Sequence, residues 1–164
     1  MSSTPYQVIS KIRKALKDCN SFQFVGYYPF DVKEAISDVQ NTKATNYATC
    51  IIEDNGESES SELMIAGYDN IDLFINIYYF IVKPKGLTLK ELHDYEIIIK
   101  NIMNSKSTFT GLTGEICSFS TGAEVGLRTK EELNEFNMLG YSDDMISKKL
   151  TFRINMQVAR NGAC

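Results

Sequence analysis

The stretch IDLFINIYYFIVK, Ile71–Lys83, has the alternation that predicts a long β-strand. Its odd-numbered positions are all apolar as far as Ile81. The even-numbered positions, in order, are Asp72, Phe74, Asn76, Tyr78, Phe80 and Val82. Because successive side chains point to opposite faces of a strand, one face is predicted to be buried throughout. The other face begins polar and becomes apolar and aromatic, so something must cover that end.

A second segment alternates as strongly, KLTFRINMQVAR at Lys149–Arg160. One set of alternate positions is apolar: Leu150, Phe152, Ile154, Met156 and Val158. The other set is mostly polar: Thr151, Arg153, Asn155, Gln157 and Ala159. This pattern predicts a second long strand, and the two strands together predict the centre of a sheet.

Two amphipathic helices are predicted. Thr4, Pro5 and Gln7 provide a capping box and a first-turn proline for a helix over Tyr6–Cys19, whose apolar stripe is Val8, Ile9, Ile12, Ala15, Leu16 and Cys19. Thr88 and Glu91 form a second capping box, for a helix that ends near Asn104. Its stripe includes Leu92, Tyr95, Ile99 and Ile102, which makes it the best candidate to cover the sheet.

Between the first helix and the central strand, the sequence predicts a hairpin. Asn46–Glu53 is predicted as a strand, the acidic, Ser-rich stretch Asp54–Ser61 as its exposed loop, and Glu62–Tyr68 as the return strand. Asp69–Asn70 is predicted as a tight turn.

Other elements have weaker patterns. Phe22–Tyr28 is interpreted as a short extended stretch and Asp31–Val39 as a short helix. Further along, Thr113–Ser120 is interpreted as a strand, Gly122–Gly126 as a turn and Thr129–Leu139 as a short helix. The order of elements predicts a single α+β domain over residues 1–164, with an antiparallel or mixed sheet and the two main helices packed on one face.

Composition restricts the possible functions. The chain has 164 residues, a net charge of −4 and a pI of about 5.1, which disfavours binding to a phosphate backbone. The longest apolar run, Leu73–Val82, is about half of what a membrane-spanning helix needs, so we expect a soluble protein. The four cysteines, Cys19, Cys50, Cys117 and Cys164, form no C-x-x-C motif, which argues against zinc and favours a reducing cytoplasm.

Candidate catalytic and metal-binding residues all have a plainer interpretation. His93 lies beside Asp94 and Glu96, as a carboxylate-paired base would, but no nucleophile accompanies it and a surface histidine is favoured. The acidic residues Asp54, Glu57, Glu59 and Glu62 lack the spacing of a calcium loop, so a solvated loop is favoured.

The remaining candidates also lack a supporting motif. Gly111–Gly114 and Gly122–Gly126 lack the Lys-Ser/Thr of a phosphate loop and are interpreted as turns. No basic residue interleaves with the aromatic side chains of Phe22–Tyr28, which favours core or subunit contacts over base stacking. Cys164 could be a reactive thiol, with Arg160 as its only activating neighbour. We therefore assign no catalytic, cofactor-binding or metal-binding residue and expect no cofactor.

Two features predict an interaction surface. The central strand is apolar on both faces at one end, and residues 105–147 are rich in Gly, Ser and Thr and irregular for a small domain. Together they suggest surface that another copy or another protein completes.

The order of elements resembles the tail-terminator and neck-ring proteins of long-tailed bacteriophages. The matching pattern is an N-terminal helix (Tyr6–Cys19), a hairpin (Asn46–Tyr68), a long aromatic strand (Ile71–Val82), a second helix (Thr88–Asn104) and an alternating last strand (Leu150–Arg160). The resemblance is one of pattern and includes no diagnostic motif. Asp31–Val39, Thr129–Leu139 and Phe22–Tyr28 depart from it as extra pieces.

The resemblance implies a non-enzymatic virion protein, assembled in the host cytoplasm, that forms a ring, commonly a hexamer, at the head-proximal end of the tail. Such a ring stops tube polymerisation and joins the tail tube protein to the head-proximal connector protein. DNA would pass through its lumen without specific binding, which suits an acidic chain. Contacts are expected in Asp54–Ser61 and Ser105–Asp144.

Two alternatives stay open at this point. One is another virion assembly protein, for head completion or associated with the tail tube; its tube-associated form is disfavoured because tube subunits are dominated by β-structure. The other is a small α+β enzyme or ligand-binding domain, which would require a pocket with converging polar groups.

Overall fold

A computed structural model of the chain describes residues 4–59, 68–112, 115–127 and 145–159. The fold is α+β, as the sequence predicts. Its elements are α1 (Thr4–Asp18), β1 (Phe24–Tyr28), α2 (Val32–Asn41), β2 (Tyr47–Glu59), β3 (Tyr68–Val82), α3 (Leu89–Met103), a 3-10 turn (Lys106–Phe109), β4 (Glu115–Leu127) and β5 (Met145–Ala159).

The described strands form one mixed sheet in the order β1-β2-β3-β5-β4. β1 runs parallel to β2, and the other neighbours are antiparallel. The strand predicted to be central, β3, does lie in the middle. Its partner β5 pairs with it along all 15 residues, from Tyr68 opposite Ala159 to Val82 opposite Met145. The two long strands of the sequence are therefore neighbours, and β5 begins four residues earlier than Lys149.

Helices α1 and α3 pack on one face of the sheet, which confirms the predicted two-helix layer. This face is built from the odd-numbered residues of β3 and the even-numbered residues of β5. The most deeply buried members of this core include Val8, Ile12, Leu16, Leu73, Ile75, Ile77, Tyr79, Ile81, Ile99 and Ile154. Burying such side chains is the main stabilising contribution to a domain of this size.

Helix α2 packs on the opposite face, at the aromatic end of β3. Val32, Ala35 and Val39 of the helix form a second core with Tyr78 and Phe80. The apolar end of the second face is thus covered within the chain. The expectation that another molecule completes this end of β3 is wrong, because the short helix supplies the missing apolar surface.

The β2–β3 hairpin is longer than predicted. β2 continues to Glu59, so the prediction of a loop at Asp54–Ser61 is wrong for Asp54–Glu59, which belongs to the strand. Asp69 and Asn70 are not a turn: they belong to β3 and face Val158 and Gln157 of β5. A bulge between Asp54 and Glu57, where Gly56 has a φ of 93°, lets the ladder continue through this polar sequence. Residues 60–67, with most of the predicted return strand, lie outside the described residues.

Strand β4 confirms the strand predicted at Thr113–Ser120 but continues further. Gly122–Gly126 is not a turn that ends the strand, since both glycines remain in register with β5, opposite Thr151 and Lys149. The extra residues between them are taken up by a register shift. The predicted helix at Thr129–Leu139 lies outside the described residues.

Candidate interaction surface

The histidine considered as a candidate base lies near the contact between α3 and β5. His93 is exposed, with Nδ1 3.8 Å from Glu96 Oε2, whereas Glu96 is buried. Glu96 Oε1 accepts a hydrogen bond from Lys148 Nζ, which the sequence analysis did not single out. Asp94 Oδ2 accepts instead from Lys90 Nζ, at 2.9 Å. The cluster is thus an ion pair that joins the helix to the sheet, with the histidine at its solvent edge.

The acidic residues considered as a candidate metal site are spread along β2. Asp54 and Glu57 are exposed, and Asp54 Oδ1 accepts a hydrogen bond from the backbone N–H of Gly56. Among the described residues, no three His, Cys, Asp or Glu side chains gather as metal ligands. Glu62 lies outside those residues.

The aromatic residues before α2 serve the two cores. Phe22 is buried, with its ring centroid 5.5 Å from that of Tyr95 and 6.4 Å from that of Tyr79. Phe24 and Tyr28 pack against the α2 side. The guanidinium carbon of Arg13 lies over the Tyr27 ring, 5.0 Å from the ring centroid. This placement confirms the core interpretation of these side chains.

Cys19 and Cys50 are free cysteines. Cys50 is fully buried, and burial, with a smaller contribution from Cys19, raises its pKa. Cys19 Sγ donates to the carbonyl oxygen of Leu16. Cys50 and Cys117 lie on β2 and β4, which β3 and β5 separate, so their backbones are about 14 Å apart, too far for a disulfide. Cys164 lies outside the described residues.

Of the first glycine pair, Gly111 has a φ of 77°, which fits the predicted turn. Gly114 lies outside the described residues.

Beyond α2, the second face of the sheet carries a polar network. Asp72 is buried and accepts from Arg153 Nη2 at 2.7 Å and from Asn155 Nδ2 at 2.9 Å. Burial alone would raise the pKa of Asp72, but these hydrogen bonds and the charge of Arg153 hold it below its ordinary value.

The network extends to the neighbouring strand. Asn76 donates to Glu53 Oε1 at 2.7 Å, and its own Oδ1 accepts from Thr151 at 3.0 Å. Alternation in the sequence places Asp72 and Asn76 on this face. It does not show their partners, because cross-strand pairs depend on a register that alternation alone leaves open.

One apolar side chain stands out on the surface. Phe30, between β1 and α2, is 85% exposed, more than any other large apolar side chain of the described residues. Tyr6, Leu89 and Ile97 are also exposed, by 55%, 69% and 52%. Sequence reasoning did not single out Phe30.

Two open clefts lie on the side of the sheet that carries α1 and α3. The first, of about 380 Å³, is lined by Ser21, Asn46, Leu87, Glu91, Asp94, Tyr95 and Ile98. The second, of about 440 Å³, lies between α1 and the 3-10 turn and has mostly polar and charged walls, including Lys11, Lys14 and Asp18. No described helix is long and apolar enough to cross a membrane.

Comparison with known proteins finds a likeness of fold and no relative by sequence. No protein-family profile and no curated protein matches the chain. Among solved structures, the fold is similar to the sheath/tube terminator, in its extended state, of an extracellular contractile injection system, the PVC particle. The TM-score is 0.52 and the sequence identity 14%. The likeness covers 98% of this chain and 58% of the terminator, so this chain spans a little over half of that protein's length.

Proposed function

We propose that this protein is a tail-terminator-type structural subunit, which forms a ring at the head-proximal end of a phage tail. The observation that carries the proposal is the fold likeness to a sheath/tube terminator, which extends over 98% of this chain. The element order of the sequence suggests the same class independently. In this role the protein is a virion component and not an enzyme.

Ring closure would determine how the subunit acts. A head-to-tail contact between copies closes into a ring when its rotation divides a full turn, and we propose a hexamer. A ring whose one side fits the last layer of tail tube, and whose other side fits the connector, stops tube growth. The acidic net charge of −4 suits a lumen that DNA crosses without binding.

The polar sheet face is a candidate contact surface for the tube. Arg153 and Glu53 are half-buried on this face, beyond α2, and their side chains are held by Asp72 and Asn76. Charges that are fixed in this way favour specific over general association, because a mismatched partner meets unpaired charge.

The helices argue against the alternative of a tail-tube subunit. Tube subunits are dominated by β-structure, whereas α1 and α3, of 15 residues each, form a full layer on this sheet. Head completion stays a second assembly role, which a capping assay separates from tube termination.

The mass in solution and the effect on tubes test the proposal. We expect light scattering over a range of concentrations and salt levels, with negative-stain images of the same samples, to show rings of uniform subunit number. Added to polymerising tail tube protein, these rings should shorten the tubes and lie at one end of each. Tubes with the length of the protein-free control and bare ends would refute the terminator role.

A further inference from the structure

The cleft between α1 and the 3-10 turn contains a lysine whose charge is not paired. Lys11 lines the cleft and is half-buried, and its Nζ lies 3.7 Å from the position that a Cβ on Gly111 would occupy. Within the described parts of the chain, the Lys11 ammonium has no hydrogen-bond acceptor and no carboxylate partner. A half-buried charge is screened less by solvent than an exposed one, so an anion in the cleft interacts more strongly with Lys11 than with a surface lysine.

The acidic side chain in the lining of the cleft is already occupied. Asp18 Oδ2 accepts a hydrogen bond from Lys14 Nζ at 2.5 Å, across one turn of α1. The two charges of this pair cancel. Lys11 therefore gives the described lining of the cleft a net positive charge.

The hydroxyl groups of the cleft add one free donor. Ser107 Oγ is hydrogen-bonded to Ser105 Oγ at 2.7 Å, and Thr110 Oγ1 donates to the Ser107 carbonyl at 3.4 Å. Thr108 is half-buried, and no described residue pairs with its hydroxyl. An ammonium group only donates hydrogen bonds, and a hydroxyl also has one to donate. The unpaired groups of the cleft therefore suit a ligand that accepts hydrogen bonds and carries negative charge.

The surroundings of the cleft are basic, although the chain as a whole is acidic. α1 and residues 106–112 together carry five basic residues and one acidic residue, Asp18, whereas the net charge of the chain is −4. One of the five is Lys106, which is exposed at the start of the 3-10 turn. Clustered positive charge raises the local concentration of anions. The charge of this region thus favours the same class of ligand as the hydrogen-bonding groups.

The core holds both walls of the cleft in place. Phe109 of the 3-10 turn is buried in the same core as Ile12 of α1. Lys11 and Thr108 directly precede these two residues in the sequence, so the core fixes the backbone that carries both donors. The volume of about 440 Å³ is in the range of small-molecule sites. A phosphate group and part of the molecule that bears it would fit.

We propose that this cleft binds a phosphate group, held by Lys11 Nζ and the Thr108 hydroxyl. Phosphate supplies the acceptor oxygens and the negative charge that these donors lack, and lysine binds it as a point charge. Two kinds of molecule carry the group: small phosphate-bearing molecules and the backbone of DNA. The acidic net charge disfavours contact along a length of DNA backbone, but the cleft needs only one phosphate. The site does not depend on ring formation.

Binding of inorganic phosphate tests the site. Broadening of the phosphate resonance in phosphorus NMR, at constant ionic strength, measures binding to monomers and rings alike. We expect saturable binding that is weakened at least about tenfold by Lys11→Met and about fivefold by Thr108→Val. Both variants should unfold at the wild-type temperature, because neither removed group has a partner in the described fold. Lys33→Met is the matched control and should bind like the wild type, since Lys33 is exposed on α2, across the sheet.

A labelled DNA duplex distinguishes the two sources of phosphate. If Lys11→Met weakens the binding of DNA and of inorganic phosphate by the same factor, the ligand is the DNA backbone. If only the binding of inorganic phosphate is weakened, or DNA does not bind, the ligand is a small phosphate-bearing molecule. Phosphate binding that both Lys11→Met and Thr108→Val leave unchanged would overturn the site. No saturation at about 10 mM inorganic phosphate would also overturn it. Neither result would affect the terminator role, which the capping of tubes tests.

Discussion

Lys148 on β5 and Glu96 on α3 form an ion pair whose side chains are only 10% and 8% exposed. The pair joins the centre of the helical layer to a strand that lies more than 50 residues further along the chain. Buried pairs of this kind cost desolvation energy, so their loss and their replacement have different effects.

Removing one member of the pair should destabilise the fold strongly. Lys148→Met leaves Glu96 buried without its cation, and we expect a loss of about 3–5 kcal/mol in the free energy of unfolding. Replacing both, as Lys148→Met with Glu96→Leu, should restore most of that loss. Urea denaturation followed by circular dichroism measures both effects.

The exposed pair Lys90–Asp94 is the matched control, since both partners lie on the surface of α3. Lys90→Met should change stability by less than about 1 kcal/mol. Equal losses for Lys90→Met and Lys148→Met would show that burial of the Glu96 pair is not what determines its contribution.

Asp72 should contribute to the acid sensitivity of the fold. Its folded pKa lies below its ordinary value of 3.8, so the carboxylate stabilises the protein above that pH. The stabilisation is lost as the pH falls through the folded pKa. We expect Asp72→Asn to lower the free energy of unfolding at pH 7 by about 1 kcal/mol. As the pH falls below about 4, this variant should lose less stability than the wild type.

Arg153→Gln should also reduce the loss of stability at acid pH, because it removes the cation that pairs with the Asp72 carboxylate. Denaturant midpoints measured from about pH 2 to about pH 7 test the contribution of the Asp72–Arg153 pair to stability. Stability profiles of wild type and Asp72→Asn that run parallel throughout would contradict the assignment.

Gly26→Ala should loosen the turn that carries Phe30. The new Cβ would meet Phe24 Cε1 at 2.8 Å as well as Asp31, so the turn must shift. We expect a loss of about 1–3 kcal/mol in the free energy of unfolding, measured by thermal unfolding. A variant as stable as the wild type would show that this close approach is not needed.

The capping box of α3 should contribute measurably. The Thr88 hydroxyl accepts from the Glu91 N–H, and the Glu91 carboxylate accepts from the Thr88 N–H. Thr88→Ala should therefore cost about 1 kcal/mol. Ser105→Ala is the matched control, because the Ser105 hydroxyl is hydrogen-bonded to the Ser107 hydroxyl and makes no capping bond to the 3-10 turn that it precedes. A smaller loss for Thr88→Ala than for this control would contradict the cap.

Strong periodicity accounts for what the sequence predicts of the fold. β3, β5, α1 and α3 each contain a long pattern that only one secondary structure satisfies. The capping box at Thr88 located the start of α3 within one residue. The polar stretch from Asp54 to Ser58 misled the prediction, because the strand there is held by backbone pairing with β3 and its side chains are exposed.

The candidate surface was harder to predict than the fold. The Lys148–Glu96 pair and the network around Asp72 depend on strand register and on which helix lies over which strand. The exposure of Phe30 and the cleft beside Tyr95 depend on three-dimensional placement. Only the general expectation of an interaction surface could come from the sequence.

The pairing of β3 with β5 also has a consequence for synthesis on the ribosome. Asp72 and Asn155 are 83 positions apart, whereas β2 and β3 are consecutive strands that pair antiparallel. During translation, helices α1 to α3 can pack on β1, β2 and β3 well before β5 emerges, and β3 is then an open edge of the sheet. Open apolar edges pair with other chains. The nascent protein is therefore most prone to aggregate in that interval. A C-terminal fusion that hinders the pairing of β5 with β3 should lower the yield of folded protein.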